Sequence, residues 1–161
     1  MHVDLVFETH STTDDNQNGI ATGWNPGYLS SAGREQARRL GERRRDDGPS
    51  TIFTSDLERA LERVRIAFVG IGVPVLKDWR LRECDYGLMN GTPAKALRRE
   101  DHVDVPYPSG ESWREAIARV LGNAETTLDQ REGVLVVVDR SPLAGGLEIC
   151  FGGHRICRSS R

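Results

Sequence analysis

A cluster of polar side chains follows the first apolar run of the chain. The segment Val3 to Phe7 is short and mostly apolar, and His10, Ser11, Thr13 and Asn16 come soon after it. Histidine is the side chain whose charge changes most readily near neutral pH. The short hydroxyl and amide groups around it are hydrogen-bond donors. A histidine with these neighbours, placed at the end of a buried strand, is a candidate functional residue.

A second candidate group lies at the start of a predicted helix. Thr54 to Asp56 can cap this helix, and Arg59 falls in its first turn. A helix amino end exposes backbone N–H groups that bind anions, and an arginine adds a guanidinium to them. If the two polar segments follow neighbouring strands, these groups form an anion pocket. A second interpretation stays open, in which Thr54 to Asp56 only cap the helix and Arg59 is solvated.

The elements that must position these residues alternate along the chain. Short apolar runs predict strands at 3–7, 51–53, 73–76 and 134–138. Apolar residues at three- and four-residue spacing predict helices at 30–47, 57–68 and 111–128. This alternation predicts an α/β fold, a three-layer sandwich with a mostly parallel central sheet, in which Pro74 favours an edge position for its strand. Because ligands bind beyond the carboxyl ends of such strands, we expect the site just after Phe7, Phe53 and Val138.

Composition restricts the class of protein. A chain of 161 residues with 37% hydrophobic residues fits one domain. Its 22 basic and 24 acidic residues leave a net charge of −2, so neither nucleic acid nor an acidic membrane is an expected partner. No apolar run approaches the roughly 20 residues that span a bilayer, and the start lacks a secretory signal, which predicts a cytoplasmic protein. The three cysteines show no metal-ligand spacing and are interpreted as reduced thiols.

Five segments of the chain resemble the sequence motifs of one enzyme family. Its opening motif is Arg-His-Gly-x-Thr-x-x-Asn, and His10, Thr13 and Asn16 fall on the histidine, the threonine and the asparagine. The four further segments that resemble its motifs are Gly23-Trp24 with Leu29 to Ala37, Ser55 to Ala60, Leu81 to Gly91, and Ser109 to Ser112. Because all five follow in the family's order, the chain is identified as a member of the histidine phosphatase (phosphoglycerate mutase-like) superfamily.

The resemblance implies a phosphoglycerate mutase-like fold and phosphoryl transfer through a phosphohistidine. In that scheme His10 attacks the phosphorus and Arg59 neutralises the phosphoryl oxygens. Glu83 protonates the leaving alkoxide and later deprotonates the attacking water. The phosphate-binding side chains implied beside Arg59 are Ser11, Thr13 and Asn16. Fixed positive charge takes the role that a metal ion has elsewhere, so no metal and no cofactor are expected.

Two positions depart from the family's pattern. Thr9 stands where the motif has arginine, which removes a charge-assisted contact worth about 1.5 to 3 kcal/mol. Asp139 follows the last predicted strand, where the family has Gly-His or Ser-His, and a carboxylate there repels a phosphate.

The stretch after residue 138 suggests a specific origin for the second departure. Codons for Asp139-Arg140-Ser141, read one base later, can spell Ile-Gly-His (GAT CGG TCA C becomes ATC GGT CAC). We hypothesise an out-of-frame end, with a natural, divergent tail as the alternative. Sequencing the encoding DNA around codon 139 distinguishes the two. In either case we predict a histidine phosphatase-like domain at 1–138, truncated at its carboxyl terminus, and an atypical tail at 139–161.

These observations predict a phosphohydrolase that acts on a small phosphorylated metabolite, with impaired activity. A mutase is less favoured, because it must hold its phosphohistidine away from water in a closed and complete pocket. A different class of function stays open, a non-catalytic phosphate-binding or scaffold protein that has kept the fold. The segment 90–108 is the predicted substrate cover, and a homodimer is left open as an assembly.

Overall fold

A computed structural model of the protein describes residues 5–8, 10–49, 51–128 and 134–137. Its strands are β1 (Leu5–Glu8), β2 (Ile20–Ala21), β3 (Thr51–Thr54), β4 (Val75–Lys77), β5 (Thr92–Pro93) and β6 (Val134–Val137). Its α-helices are α1 (Asp14–Gln17), α2 (Ser31–Arg44), α3 (Glu58–Ala67) and α4 (Trp113–Leu128). The predicted tail at 139–161 and the departures at Thr9 and Asp139 lie outside the described residues. The boundary at residue 138 therefore stays a prediction.

Among the described strands, β1, β6, β3 and β4 form one sheet in that order, and each neighbouring pair is parallel. The strand β6 lies between β1 and β3, with Val134 in register with both Leu5 and Thr51. Its unbroken apolar sequence suits this inner position. The strand β4 lies at the edge, as predicted from the proline before it. The three-layer arrangement stays a prediction.

The helices α2 and α3 pack on each other and supply one part of the core. The buried residues of this cluster are Leu40, Ile52, Val64, Ala67 and Phe68. Ser30 caps α2, because its hydroxyl accepts a hydrogen bond from the Gly33 amide at 3.1 Å. The sequence pattern predicts this cap.

The predicted side-chain cap of α3 is wrong. The N-cap residue is Leu57, which makes no capping hydrogen bond. The hydroxyls of Thr54 and Ser55 are buried and have no hydrogen-bond partner within the described residues. Asp56 instead binds Arg82, at 2.6 Å from Nε and 2.5 Å from Nη2. The hydrogen bond from Arg82 lowers the pKa of the Asp56 carboxyl below its usual value.

A second apolar cluster includes residues of the segment between β5 and α4. Its buried residues are Ala21, Cys84, Tyr86, Leu97, Tyr107, Trp113 and Ala116. The strand β5 pairs antiparallel with β2, which attaches the segment 90–108 to the loop after α1. This pairing and helix α1 are elements that the sequence pattern does not predict. No helix in the described ranges is both long and apolar enough to cross a membrane.

Candidate active site

His10 lies two residues beyond the end of β1, and its ring is oriented by the main chain. Its Nδ1 atom is 2.8 Å from the carbonyl oxygen of Ser11. A carbonyl oxygen only accepts, so Nδ1 is the donor in this hydrogen bond. In the neutral imidazole the lone pair is then on Nε2. The loop therefore favours the tautomer with its proton on Nδ1, in which the lone pair of Nε2 can act as the nucleophile.

The loop that carries His10 is fastened to helix α2. The Oε1 atom of Gln36 accepts hydrogen bonds from the Thr12 amide at 2.9 Å and from the Thr12 hydroxyl at 3.1 Å. The helix approaches so closely that a Cβ atom at Gly33 would lie 1.9 Å from the Thr12 carbonyl oxygen. Only glycine fits there without a shift of the backbone. The position of the loop is thus set by α2 as well as by β1.

Thr13 and Asn16 form a reciprocal cap at the start of α1. The Thr13 hydroxyl accepts from the Asn16 amide at 3.1 Å, and Asn16 Oδ1 accepts from the Thr13 amide at 3.0 Å. This is a capping box, and it stiffens the turn that follows His10. The phosphate-binding roles of these two side chains and of the buried Ser11 stay predictions.

Arg59 is the second residue of α3 and is almost completely buried, at 3% exposure. Its Nη2 donates to the Gly23 carbonyl oxygen at 2.8 Å, and its Nη1 donates to that of Asn25 at 3.4 Å. Gly23 has a φ angle of +56°, a conformation that other residues rarely adopt. Because Arg59 is buried and donates to two main-chain carbonyl oxygens, the interpretation of Arg59 as a solvated side chain is wrong.

Glu83 faces Arg59 inside the protein. Its Oε2 atom is 3.6 Å from Arg59 Nη2, and its side chain is 8% exposed. The other carboxylate oxygen, Oε1, accepts a hydrogen bond of 2.7 Å from the Tyr86 hydroxyl. Two residues that lie 24 positions apart (83 minus 59) therefore meet in one buried, charged cluster.

The main chain at Glu83 is held by side chains from two other regions. Its carbonyl oxygen accepts from the Trp24 indole at 2.7 Å and from Arg119 of α4 at 3.2 Å. Arg119 also donates to the carbonyl oxygens of Arg80 and Arg82, and its guanidinium pairs with Glu111. Sequence reasoning missed Trp24 and Arg119 as supports of the site. No spacing signal in one sequence links them to Glu83.

The sheet brings His10 and Arg59 to the same edge. Glu8 at the end of β1 is in register with Val137 of β6, and Phe53 of β3 with Val136. Neighbouring strands are about 4.8 Å apart, so the ends of β1 and β3 lie roughly 10 Å apart, on either side of β6. From the sequence, β1 and β3 are considered as direct neighbours, whereas β6 lies between them in the structure. An intervening strand still leaves both residues at one carboxyl edge.

A family comparison agrees with this geometry. The family model of the histidine phosphatase superfamily (branch 1) matches residues 5–152. The chain belongs to this superfamily. Within the described ranges, no group of three or more His, Cys, Asp or Glu side chains is placed to hold a metal ion.

Relatives within the histidine phosphatase superfamily include mutases. A 2,3-bisphosphoglycerate-dependent phosphoglycerate mutase of Rhizobium rhizogenes is 36% identical over 131 residues, which cover 72% of this chain and 62% of the relative. A mutase of the same description from Methylobacterium is 33% identical over 132 residues, covering 73% of this chain and 64% of the relative. The chain thus spans less than two thirds of the length of these curated relatives.

Two solved structures share the fold of this chain. The YhfR protein of Bacillus stearothermophilus matches with a TM-score of 0.76 and 30% identity, over 85% of this chain and 74% of that chain. Mycobacterial glucosyl-3-phosphoglycerate phosphatase Rv2419c, in complex with VO3, matches with a TM-score of 0.74 and 26% identity, over 84% of this chain and 75% of that chain. The phosphoglycerate mutase-like fold is therefore established for this chain.

Proposed function

We propose that this protein hydrolyses phosphate monoesters of small metabolites through a phosphohistidine formed at His10. The observation that carries the proposal is the buried pair of Arg59 and Glu83, whose side chains lie 3.6 Å apart. A cation and a carboxylate held together out of water suit the binding of a phosphoryl group and the transfer of a proton to its leaving group.

The first half of the reaction forms a bond between Nε2 of His10 and the phosphorus. The phosphorus–oxygen ester bond breaks, and the leaving alkoxide takes the proton of the Glu83 carboxyl group, which enters this step in its protonated form. The hydrogen bond from Nδ1 to the Ser11 carbonyl stabilises the positive charge that develops on the ring. Arg59 stabilises the negative charge on the phosphoryl oxygens. Ser11, Thr13 and Asn16 are proposed to assist Arg59 in binding them.

The second half returns His10 to its starting state. Glu83, now ionised, takes a proton from water, and the resulting nucleophile attacks the phosphohistidine. The phosphorus–nitrogen bond breaks, and inorganic phosphate leaves. No step needs a metal ion, because the charges come from protein side chains.

Hydrolysis is favoured over mutase activity by the chain's own departures. A mutase has to keep its phosphohistidine from water, whereas this sequence has Thr9 and Asp139 at two positions that contact phosphate in the family. We propose a hydrolase with reduced turnover, in which segment 90–108 covers the substrate. The glucosyl-3-phosphoglycerate phosphatase among the similar structures supports hydrolysis.

Phosphoryl labelling tests the proposal. The protein is mixed with a radiolabelled phosphate ester and quenched in alkali, where phosphohistidine survives, while phosphate release is followed in parallel. We expect a label on His10 together with turnover. Phosphate binding with neither a label nor turnover would favour the non-catalytic phosphate-binding protein.

Two histidine variants make this experiment specific. His10→Ala is expected to lose both the label and phosphate release while circular dichroism stays unchanged. The control is His102→Ala, because His102 stacks on Tyr107 in the covering segment with ring centres 3.8 Å apart, and it should keep the label. Turnover retained in His10→Ala would exclude the phosphohistidine mechanism.

A further inference from the structure

The hydroxyl of Tyr86 is a hydrogen-bonding neighbour of the Glu83 carboxylate. It donates to Oε1 at 2.7 Å, and the bond is buried. Tyr86 has 0% exposure and belongs to the second apolar cluster, which includes Leu97 and Tyr107 of the segment 90–108. Burial raises the pKa of Tyr86 well above its usual range, so the phenol keeps its proton and is the donor.

The ring of Tyr86 is fixed by its surroundings. Tyr107 packs edge-on against it with ring centres 5.1 Å apart, and Trp113 of α4 lies 6.0 Å away. The Tyr86 amide donates to Oδ1 of Asn90 at 3.1 Å, which fixes the main chain as well. A tyrosine held at ring and backbone presents its hydroxyl in one direction, and that direction is toward Glu83.

The two oxygens of Glu83 therefore have different neighbours. Oε1 is bound by the Tyr86 hydroxyl, while Oε2 lies 3.6 Å from Nη2 of Arg59. A carboxylate that transfers a proton must keep one oxygen aimed at the reacting atom, and small misplacements are costly. A hydrogen bond to Oε1 fixes the rotation of the carboxylate and leaves Oε2 directed to the side on which Arg59 lies.

We propose that Tyr86 is a positioning residue for proton transfer by Glu83, acting through its hydroxyl and not as part of the phosphate-binding group. The inference rests on the proposed function. Other charged groups lie close by: Arg59 of α3 faces Oε2, Arg119 of α4 reaches the Glu83 carbonyl, and Asp85 follows along the chain.

The test compares substrates that differ in their need for an acid. A p-nitrophenolate leaves without a proton, whereas the alkoxide of glycerol phosphate requires one. The parameter kcat/KM covers the steps up to formation of the phosphohistidine, so it reports on the first proton transfer alone. For Tyr86→Phe we expect a loss of about tenfold with the alkyl ester and less than about twofold with the aryl ester.

Tyr28→Phe is the control for the loss of a tyrosine hydroxyl. Tyr28 is 59% exposed, and it lies outside the segment 90–108 and outside the group of side chains around Glu83. This variant should leave both rates unchanged. Glu83→Gln should lose about 100-fold or more with the alkyl ester, because it lacks the acid. Adding Tyr86→Phe to Glu83→Gln should then cause no further change in the ratio of alkyl to aryl rates.

The outcomes separate the two proposals. If the unchanged protein turns over neither ester, the proposed function fails. If it is active and Tyr86→Phe lowers both rates equally or neither, or still changes the ratio in the Glu83→Gln background, then Tyr86 is not a positioning residue. A urea-unfolding cycle needs no activity, and its four proteins are the unchanged protein, Tyr86→Phe, Glu83→Ala and the double variant. Alanine is used here because the amide oxygen of Gln could still accept the Tyr86 hydrogen bond. Additive shifts of the unfolding midpoint would overturn the contact itself.

Discussion

Replacement of Arg59 by alanine should weaken phosphate binding and destabilise the fold at the same time. The side chain is 3% exposed, and its guanidinium bonds the carbonyl oxygens of Gly23 and Asn25. A charge-assisted hydrogen bond contributes about 1.5 to 3 kcal/mol, and 1.36 kcal/mol corresponds to a tenfold change. We therefore expect phosphate or vanadate affinity to fall by about 13- to 160-fold.

The effect on stability has a separate cause. Without Arg59, the Glu83 carboxylate loses the cation that lies 3.6 Å away while its side chain stays 8% exposed. Breaking a buried pair in this way costs about 3 to 5 kcal/mol. We expect a loss near the lower limit, because the Tyr86 hydroxyl still donates to Glu83. The double change Arg59→Ala with Glu83→Gln should regain part of the stability but none of the affinity.

Titration calorimetry with vanadate and urea unfolding monitored by circular dichroism measure the two effects. Arg59→Lys should recover only part of the affinity, because an ammonium cannot reproduce the guanidinium fork. The control is Arg65→Ala on the same helix, an exposed residue that pairs with Glu58 and should change neither quantity measurably. If the unchanged protein, Arg59→Ala, Arg59→Lys and Arg65→Ala all bind vanadate with equal affinity, the assignment of Arg59 to the phosphate site is refuted.

Two further predictions concern Gly33 and Asp139. Gly33→Ala lies inside a helix, where alanine is normally stabilising by up to about 1 kcal/mol, but here it should cost about 1 to 3 kcal/mol because its Cβ would lie 1.9 Å from the Thr12 carbonyl oxygen. A higher urea midpoint for this variant would contradict the close approach of α2. Asp139→His should raise turnover of a generic phosphate ester, since one preorganised donor contributes about 100- to 1000-fold. If neither Asp139→His nor a frame-restored chain gains activity, the family resemblance reflects ancestry and not present function.

Local patterns were sufficient for the main elements. The strand Thr51–Thr54 and the helices Ser31–Arg44 and Trp113–Leu128 lie within three residues of their predicted bounds. Periodicity and the cap at Ser30 are short-range signals, so one sequence carries them. The inner position of Val134–Val137 follows equally from its apolar run.

The predicted cap of α3 is wrong because Asp56 binds a partner that is distant in sequence. Thr54 to Asp56 has the composition of a cap, but Arg82 binds the Asp56 carboxylate from 26 residues away. Two charge-assisted hydrogen bonds outweigh one capping bond. Thr13 and Asn16 show a different limit of sequence reasoning. Their spacing fits a capping box as well as a pair of phosphate ligands, so the spacing alone does not distinguish these two roles.

The supports of Glu83 could not be predicted from one sequence. Trp24 and Arg119 reach its carbonyl oxygen from positions 59 residues before and 36 residues after it. Neither contact follows from a local period, and each depends on how α4 and the loop after β2 pack. The motif containing Glu83 identified the residue, while tertiary packing decides what holds it.

The inner position of β6 has a consequence for the order in which the protein folds. Leu5 pairs with Val134, a separation of 129 residues (134 minus 5), whereas Ile52 pairs with Val75 across only 23 (75 minus 52). Short loops close at a lower entropic cost, so we expect β3 and β4 to pair early during folding and β1 to pair with β6 later. His10 follows β1 and Arg59 follows β3 in the chain, so the two residues reach the same edge of the sheet only after β6 has paired with both strands. Recovery of vanadate binding during refolding should therefore trail the recovery of helical circular dichroism.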